Sequence, residues 1–300
     1  MVKRKNPSDF VGILNSMWGV KKRTSSRTSK SNGKKTMKSD NKGTRFSLPG
    51  RPLLEKFFNE RIIDIVQNPE SYEKLGISFP SATILYGPPG CGKTYAVERL
   101  VEFLNWPCYI IDSKTIGSPY IHQTGKKIND IFHKAMGNSP SVIIIDEMEA
   151  YVSPRNDSDG DSTHHLEEVS EFLKLIPKAI EKKVLIIGMT NYLDMVDPAI
   201  RRRGRFDHLI EVSMPSEMEV KSLVKSVFKD IPLANGISFD ALIKEMTGKP
   251  LSDCSYVLRE ACRIAAQSRK EFVDQESIDE ALKSLPKTDQ KEERRIGFNN

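Results

Sequence analysis

The stretch GPPGCGKT, residues 87–94, puts Gly87, Gly92, Lys93 and Thr94 in the register GxxxxGK[ST], with Pro88, Pro89, Gly90 and Cys91 between them. Glycines let backbone N–H groups turn inward around phosphate oxygens, and a lysine so placed reaches the β- and γ-phosphates of a nucleotide. Thr94 adds a hydroxyl for Mg²⁺, and from Tyr95 onward a helix contributes the partial positive charge of its N-terminus. A glycine-rich structural turn is the other reading, but it needs no lysine.

A second pair of groups closes the run VIIIDE, residues 142–147. Asp146 is placed to hold the shell of a Mg²⁺ ion, and Glu147 to orient and deprotonate an attacking water. Two adjacent acids after a strand are, alone, equally a solvated turn. Beside a phosphate loop they read as the hydrolytic pair.

These groups need elements to position them. Apolar, β-branched runs occur at 82–86 (ATILY), 108–112 (CYIID), 141–146 (SVIIID), 184–189 (VLIIGM) and 208–212 (HLIEV). Helical periods lie between them, such as Ala96, Val97, Leu100, Val101 and Leu104, then Ile128, Ile131 and Phe132. Alternation of this kind predicts an α/β fold with a parallel sheet flanked by helices, carrying the phosphate loop of a P-loop NTPase. From Pro215 onward only helical patterns remain, with Cys254, Val257, Leu258, Ala261, Cys262 and Ala265 on one stripe, so a small all-helical domain is expected to follow.

The domain boundaries expected are 1–45 for a basic tail, 46–213 for the α/β domain, 214–286 for the helical domain and 287–300 for a charged C-terminal tail. The net charge of +6 is uneven: residues 1–45 carry thirteen Lys or Arg against Asp9 and Asp40, a balance of +11, which leaves −5 for the remainder. Residues 21–45 are too poor in large apolar side chains to offset ordering entropy and read as disordered. Ahead of them Phe10, Ile13, Leu14, Met17 and Trp18 fall at helical spacing, after Ser8 or Asp9 as a cap. That short amphipathic helix suits docking on a partner, an anionic membrane or targeting, and equally suits packing on its own domain. The tail's charge could hold nucleic acid without reading sequence, or be a solvated charge run.

No apolar run approaches the ~20 residues of a membrane span. The four cysteines show no CxxC pair or metal-ligand spacing, which fits free thiols in a reducing compartment. A cytoplasmic location is expected, with the nucleus or mitochondrial matrix as alternatives. HHLEE, residues 164–168, is not HExxH, so these residues do not form a zinc protease motif.

Beyond these motifs the chain resembles the AAA family of ATPases over about residues 46–285. NPESYEKLGISFPSATILYGPPGCGKT is similar to the lead-in and phosphate loop of membrane-anchored AAA proteases and proteasomal regulatory ATPases. IIIDEMEAYVSPR resembles their second motif, and IIGMTNYLDMVDPAIRRRGRFDHLIEV resembles the stretch that carries the polar sensor and arginine fingers. The resemblance implies a helical lid domain after the α/β domain, ATP and Mg²⁺ as cofactors, and assembly as a homo-oligomeric ring, most often a hexamer.

It also implies roles by position. Asn191 becomes the sensor that helps place water against the γ-phosphate. Arg202 and Arg205 match the fingers, acting on a neighbouring copy's nucleotide, although the chain reads RRGRFD where the family has RPGRFD; a surface basic patch is the alternative. Leu48 and Gly50 match the backbone wall of the base pocket. Tyr120 and Ile121 match the pore loop that grips a threaded polypeptide, with His122 where the family has glycine; a merely packed Tyr120 is the alternative. A second pore loop falls at 156–162. Ser252–Ser255 read SDCS where relatives read SGAD, so Asp253 replaces a glycine near the adenine. No arginine matches the second sensor of broader relatives.

Three functions are consistent with these residues. The first is a Mg-ATP-hydrolysing ring that unfolds or remodels protein clients, with a separate adaptor or protease as partner. The second is a nucleic-acid-associated motor or loader using residues 1–45. The third is a nucleotide-gated scaffold without turnover, which the joint presence of Glu147, Asn191 and Arg205 disfavours.

Overall fold

The computed structural model describes residues 45–112, 124–150 and 162–285, leaving aside the side chains of residues 124, 162–169 and 171. The amphipathic helix and basic tail, Tyr120 and Ile121 with His122, and residues 156–161 of the expected second pore loop lie outside the described residues. Contacts along the chain divide it between Ser213 and Met214.

The first unit is built on five parallel strands, β1 (Ala82–Tyr86), β2 (Cys108–Ile111), β3 (Ser141–Ile145), β4 (Val184–Thr190) and β5 (Phe206–Glu211), in the order β2-β3-β4-β1-β5. β3 and β4 are buried along their whole length, which is why they read as unbroken apolar runs rather than alternating ones. β5, at an edge, alternates: Phe206 points into the core while Asp207, Leu209 and Glu211 are exposed.

Helices cover the sheet. α1 (Pro52–Phe58) runs through a π turn (Asn59–Ile63) into α2 (Asp64–Gln67), followed by the short α3 (Pro69–Glu73). α4 (Lys93–Leu104) leaves the phosphate loop and ends on Asn105, whose left-handed conformation (φ 52°) caps it through an N–H to the Val101 carbonyl. α5 (Thr124–Gly137) and α6 (Ser162–Glu181) share one core with the sheet, where Ile128 and Phe132 pack with Ile143, Phe172 and Ile176. Phe132 meets Phe172 edge to face, with ring centroids 6.0 Å apart.

The second unit comprises α7 (Glu217–Val227), α8 (Asp240–Met246), α9 (Leu251–Gln267) and α10 (Gln275–Lys283). Ser216 and Glu219 form a reciprocal capping box at α7, and Asp274 caps α10 by accepting from the Ser277 N–H. Its own core joins Val220, Leu223, Leu242, Val257, Leu258 and Ile278. The unit is not purely helical: Leu233 and Val273 form an isolated parallel bridge, too short for any sequence period to signal.

The five expected strands are present, β1 with the expected bounds and the other four with ends shifted by one or two residues. Asp112 and Asp146 fall just beyond β2 and β3, and β5 starts two residues earlier than its apolar run, at Phe206.

Candidate active site

All five strands point the same way, so their C-terminal ends share one edge, where ligands of open α/β sheets collect. The order β3-β4-β1 then sets three loops side by side at the ~4.8 Å spacing of neighbouring strands. Asp146 and Glu147 follow β3, Asn191 follows β4, and Gly87 follows β1. Residues distant in sequence are thus delivered to one place by the sheet.

The phosphate loop is locked at its start. Gly87 donates its N–H to the Thr190 carbonyl at 3.3 Å, tying the ends of β1 and β4 together. A Cβ on Gly87 would lie 2.2 Å from the Val212 carbonyl oxygen, and its φ is +149°, so no other residue fits there. Gly90 (φ 79°) and Gly92 (φ 97°) also take conformations that L side chains rarely adopt. Successive turns of this kind form the concave row of N–H groups that receives an anion.

Lys93 is buried at 8% exposure, and its ammonium group ties the loop together. Nζ donates to the carbonyl oxygens of Gly87 (2.6 Å) and Pro88 (3.1 Å), lies 3.6 Å from Cys91 Sγ, and donates to Asn191 Oδ1 at 2.9 Å. The lysine of the first motif and the residue after β4 are therefore in direct contact. Cys91 is fully buried as a space-filler, and all four cysteines are free thiols.

Thr94 is exposed in the first turn of α4, and Asp146 is half-buried. Burial raises the Asp146 carboxyl above its usual range; the Glu147 N–H, donated to Asp146 Oδ1 at 3.0 Å, works against this, while the charges of Glu147, Asp112 and Glu149 add to it. Glu98, one turn beyond Thr94 on α4, is raised by burial and then by Asp146. Glu147 sits at φ 50°, a left-handed conformation costly for a non-glycine residue, and leads into a 3₁₀ turn (Met148–Ala150). Such strain gathers where a side chain must be aimed.

The donor set fits a nucleotide triphosphate with Mg²⁺. A buried ammonium, left-handed glycines before a helix N-terminus, and a carboxyl made reluctant to ionise by burial and like charge all favour an incoming polyanion paired with a divalent cation.

Residues 83–214 match the family described as ATPase family associated with various cellular activities (AAA). Residues 83–214 form an AAA ATPase domain. The chain is also similar to an ATP-dependent zinc metalloprotease FtsH of Mycoplasmopsis pulmonis, 29% identical over 248 residues, 82% of this chain and 34% of the relative. Protein SAV of Sulfolobus acidocaldarius is 30% identical over 232 residues, 76% of this chain and 29% of the relative. Protein CdcH of Halobacterium salinarum is 29% identical over 216 residues, 72% and 28% respectively. The chain spans about a third of the length of these relatives. ATP and Mg²⁺ are the cofactors of an AAA ATPase domain. Among the described residues no helix is long and apolar enough to cross a membrane.

Within the AAA domain the arginine run is not a uniform patch. Arg201 pairs with Asp194 at 3.9 Å, Arg205 is half-buried with Nη1 on the Ala199 carbonyl at 2.5 Å, and Arg202 and Arg203 are exposed. Leu48 is buried, its N–H given to Glu55 Oε2 (2.7 Å) and its carbonyl accepting from the Arg51 N–H (3.1 Å); Gly50 beside it has φ 80°. In the second unit Asp253 occupies the first turn of α9, where a carboxylate suits the helix dipole.

Three residue groups carry weight here that their sequence patterns did not signal. Glu55 and Asn59 pin the segment before α1, Asn59 by bonds to both the N–H and the carbonyl of Phe46 (3.0 and 2.9 Å). Arg51, between a glycine and a proline, looks like a surface turn residue, yet it is 2% exposed and donates from Nη2 to the Cys91 carbonyl. Gly188 packs closely against Met148, the residue that follows Glu147.

Proposed function

We propose that this chain is a Mg-ATP hydrolase that assembles into a ring, unfolding or remodelling protein clients with the energy of hydrolysis. The observation that carries the reading is the contact of Lys93 with Asn191 at 2.9 Å, beside Asp146 and Glu147, at one edge of a parallel sheet. In this reading the N–H groups of Gly90 and Gly92 with Lys93 hold the phosphates, along with the rest of the loop from Pro88 to Tyr95, and Thr94 with Asp146 hold Mg²⁺. When bound, ATP supplies the terminal phosphoryl group and Mg²⁺ the compensating charge.

The residues then divide the work. Lys93 gives up its contacts with the Gly87 and Pro88 carbonyls to serve phosphate oxygens, and Asn191, already hydrogen-bonded to it, moves with that exchange. Glu147 holds a water by its carboxylate and accepts its proton. Arg202, exposed, and Arg205, whose guanidinium has donors beyond the one on Ala199, act on the site of an adjoining copy. Arginine fingers raise phosphoryl-transfer rates by roughly 10³ to 10⁵. Protein remodelling is supported by relatives that are ATP-dependent proteases by name and by the pore-loop register at Tyr120 and Ile121.

The test separates binding from turnover. Lys93→Ala is expected to lose most nucleotide affinity, whereas Glu147→Gln keeps it and stops hydrolysis, trapping an ATP-loaded assembly. Normal turnover by the Gln variant would refute the water-activating role. Stimulation of the ATPase by unfolded protein, lost in Tyr120→Ala, supports protein clients; salt-sensitive stimulation by DNA or RNA would favour the nucleic-acid reading instead.

A further inference from the structure

Arg51 is a cation placed where cations are rarely left: 2% exposed, before the first turn of α1, forty residues from the loop it touches. Its backbone is fixed on both sides. Its N–H donates to the Leu48 carbonyl at 3.1 Å, its own carbonyl accepts from the Glu55 N–H at 2.9 Å, and Pro52 follows. The segment before it is pinned in turn by Glu55 and Asn59. A side chain anchored so firmly carries its guanidinium to the phosphate loop, where Nη2 donates to the carbonyl oxygen of Cys91.

That carbonyl belongs to the peptide between Cys91 and Gly92. In a planar trans peptide the C=O and the N–H point in opposite directions. Holding the Cys91 oxygen against Arg51 therefore fixes the N–H of Gly92 to face away from Arg51. Gly92, with φ 97°, can rotate about its own bonds more freely than any other residue type, so the orientation of this peptide is not guaranteed by the loop alone. Lys93 draws in the Gly87 and Pro88 carbonyls and meets Cys91 at its sulfur, 3.6 Å away, whereas the Cys91 carbonyl is held by Arg51.

We propose that Arg51 is a positioning residue for phosphate binding: by holding the Cys91 carbonyl it presents the Gly92 N–H to the nucleotide phosphates and ties the base-side segment, Leu48–Gly50, to the phosphate loop. This rests on the reading of residues 87–94 as a phosphate cradle. Its guanidinium does not touch the nucleotide; it acts through the peptide. The ligand it serves is the polyphosphate, not the base.

The experiment compares ADP with inorganic tripolyphosphate, each displacing a fluorescent ADP analogue from the full chain, in parallel with thermal melts. Arg51→Met keeps the volume and removes the donor. It is expected to weaken both ligands together, by roughly 10- to 100-fold, the loss of about one charge-assisted hydrogen bond. Arg51→Lys keeps a cation and can still donate from its ammonium, without the planar fork, and is expected to fold and to weaken both ligands by a smaller common factor. Should the Met variant fail to fold, the Lys variant carries the same signature. Loss of ADP binding with tripolyphosphate unchanged, in either folded variant, would overturn the proposal and assign Arg51 to the base side. Unchanged affinity for both ligands would also overturn it. Lys93→Ala serves as the reference: if it too binds tripolyphosphate normally, the cradle reading itself fails, whereas its loss alongside an unaffected Arg51→Met defeats this inference only.

Discussion

Gly188→Ala is a small change placed to act on Glu147 without touching it. An ideal Cβ at Gly188 lies 2.0 Å from Met148 Sδ, with Cε at 3.2 Å and Cγ at 3.3 Å. Carbon and sulfur do not approach that closely; ordinary contact begins near ~3.5 Å, so the methionine must give way by about 1.5 Å. Its thioether chain is flexible, but Met148 is fully buried in the core formed with Ile145 and Ile186. Part of the displacement passes to the 3₁₀ turn, which begins next to Glu147 and is closed by the Ala150 N–H on the Glu147 carbonyl at 2.9 Å. Overpacking of this kind costs about 1–3 kcal/mol of stability. A shift of about 1 Å in a catalytic group lowers turnover by roughly 10²-fold. Gly188→Ala is therefore expected to lower kcat at saturating ATP by roughly 10- to 100-fold while ADP affinity stays within about threefold, since the phosphate loop is not displaced. Adding Met148→Ala should restore space and recover part of the rate, a non-additive pair in a double-mutant cycle. Parental kcat in Gly188→Ala, or no relief from the second substitution, would refute the argument that this contact aims Glu147.

Other outcomes follow from the same geometry. Arg205→Ala should lower the melting temperature as well as activity, because it loses a half-buried hydrogen bond worth about 0.5–1.5 kcal/mol, whereas Arg202→Ala should lower activity alone; equal melting temperatures would remove the structural share assigned to Arg205. Asp146 and Glu98 are raised in the folded state, so each stabilises fully only below its ordinary value of 3.8 or 4.5 and loses that contribution as pH rises through the raised value. Without nucleotide or Mg²⁺, Asp146→Asn and Glu98→Gln should melt above the parent near neutral pH, and the gap should close below those ordinary values; a lower melting temperature at neutral pH would contradict this. Alkylation of Cys91, fully buried in the loop, should be slow, should stop the ATPase and should be blocked by ATP; full turnover after verified modification would dismiss the loop's tight packing as a requirement.

Much of the sheet could be read because parallel strands buried on both faces leave unbroken β-branched runs, as in SVIII and VLIIGMT. The motifs were readable because phosphate binding restricts residue types at fixed local spacing, as from Gly87 to Thr94. Strand ends were less legible: Asp146 continues the hydrogen bonding, donating its N–H to Ile111, while the chain turns only at Glu147, and no pattern of polarity marks that change. Contacts between distant segments left no trace in spacing. Arg51 and Cys91 are forty residues apart, Met148 and Gly188 likewise, and each is ordinary in its own neighbourhood. Asn191 was placed by resemblance alone; the adjacency of β4 and β1 is what brings it to Lys93.

The proposed composite site between copies is tested directly by mixing inactive subunits. Glu147→Gln subunits keep their arginines but lack the carboxylate proposed to activate water; subunits lacking both Arg202 and Arg205 keep that carboxylate but lack the two guanidinium groups proposed to act on the adjoining copy. Each preparation alone should be inactive, and ATP hydrolysis should return in part when the two are combined. Full hydrolysis by the doubly substituted arginine variant alone, as a monomer at saturating Mg-ATP, would contradict the account.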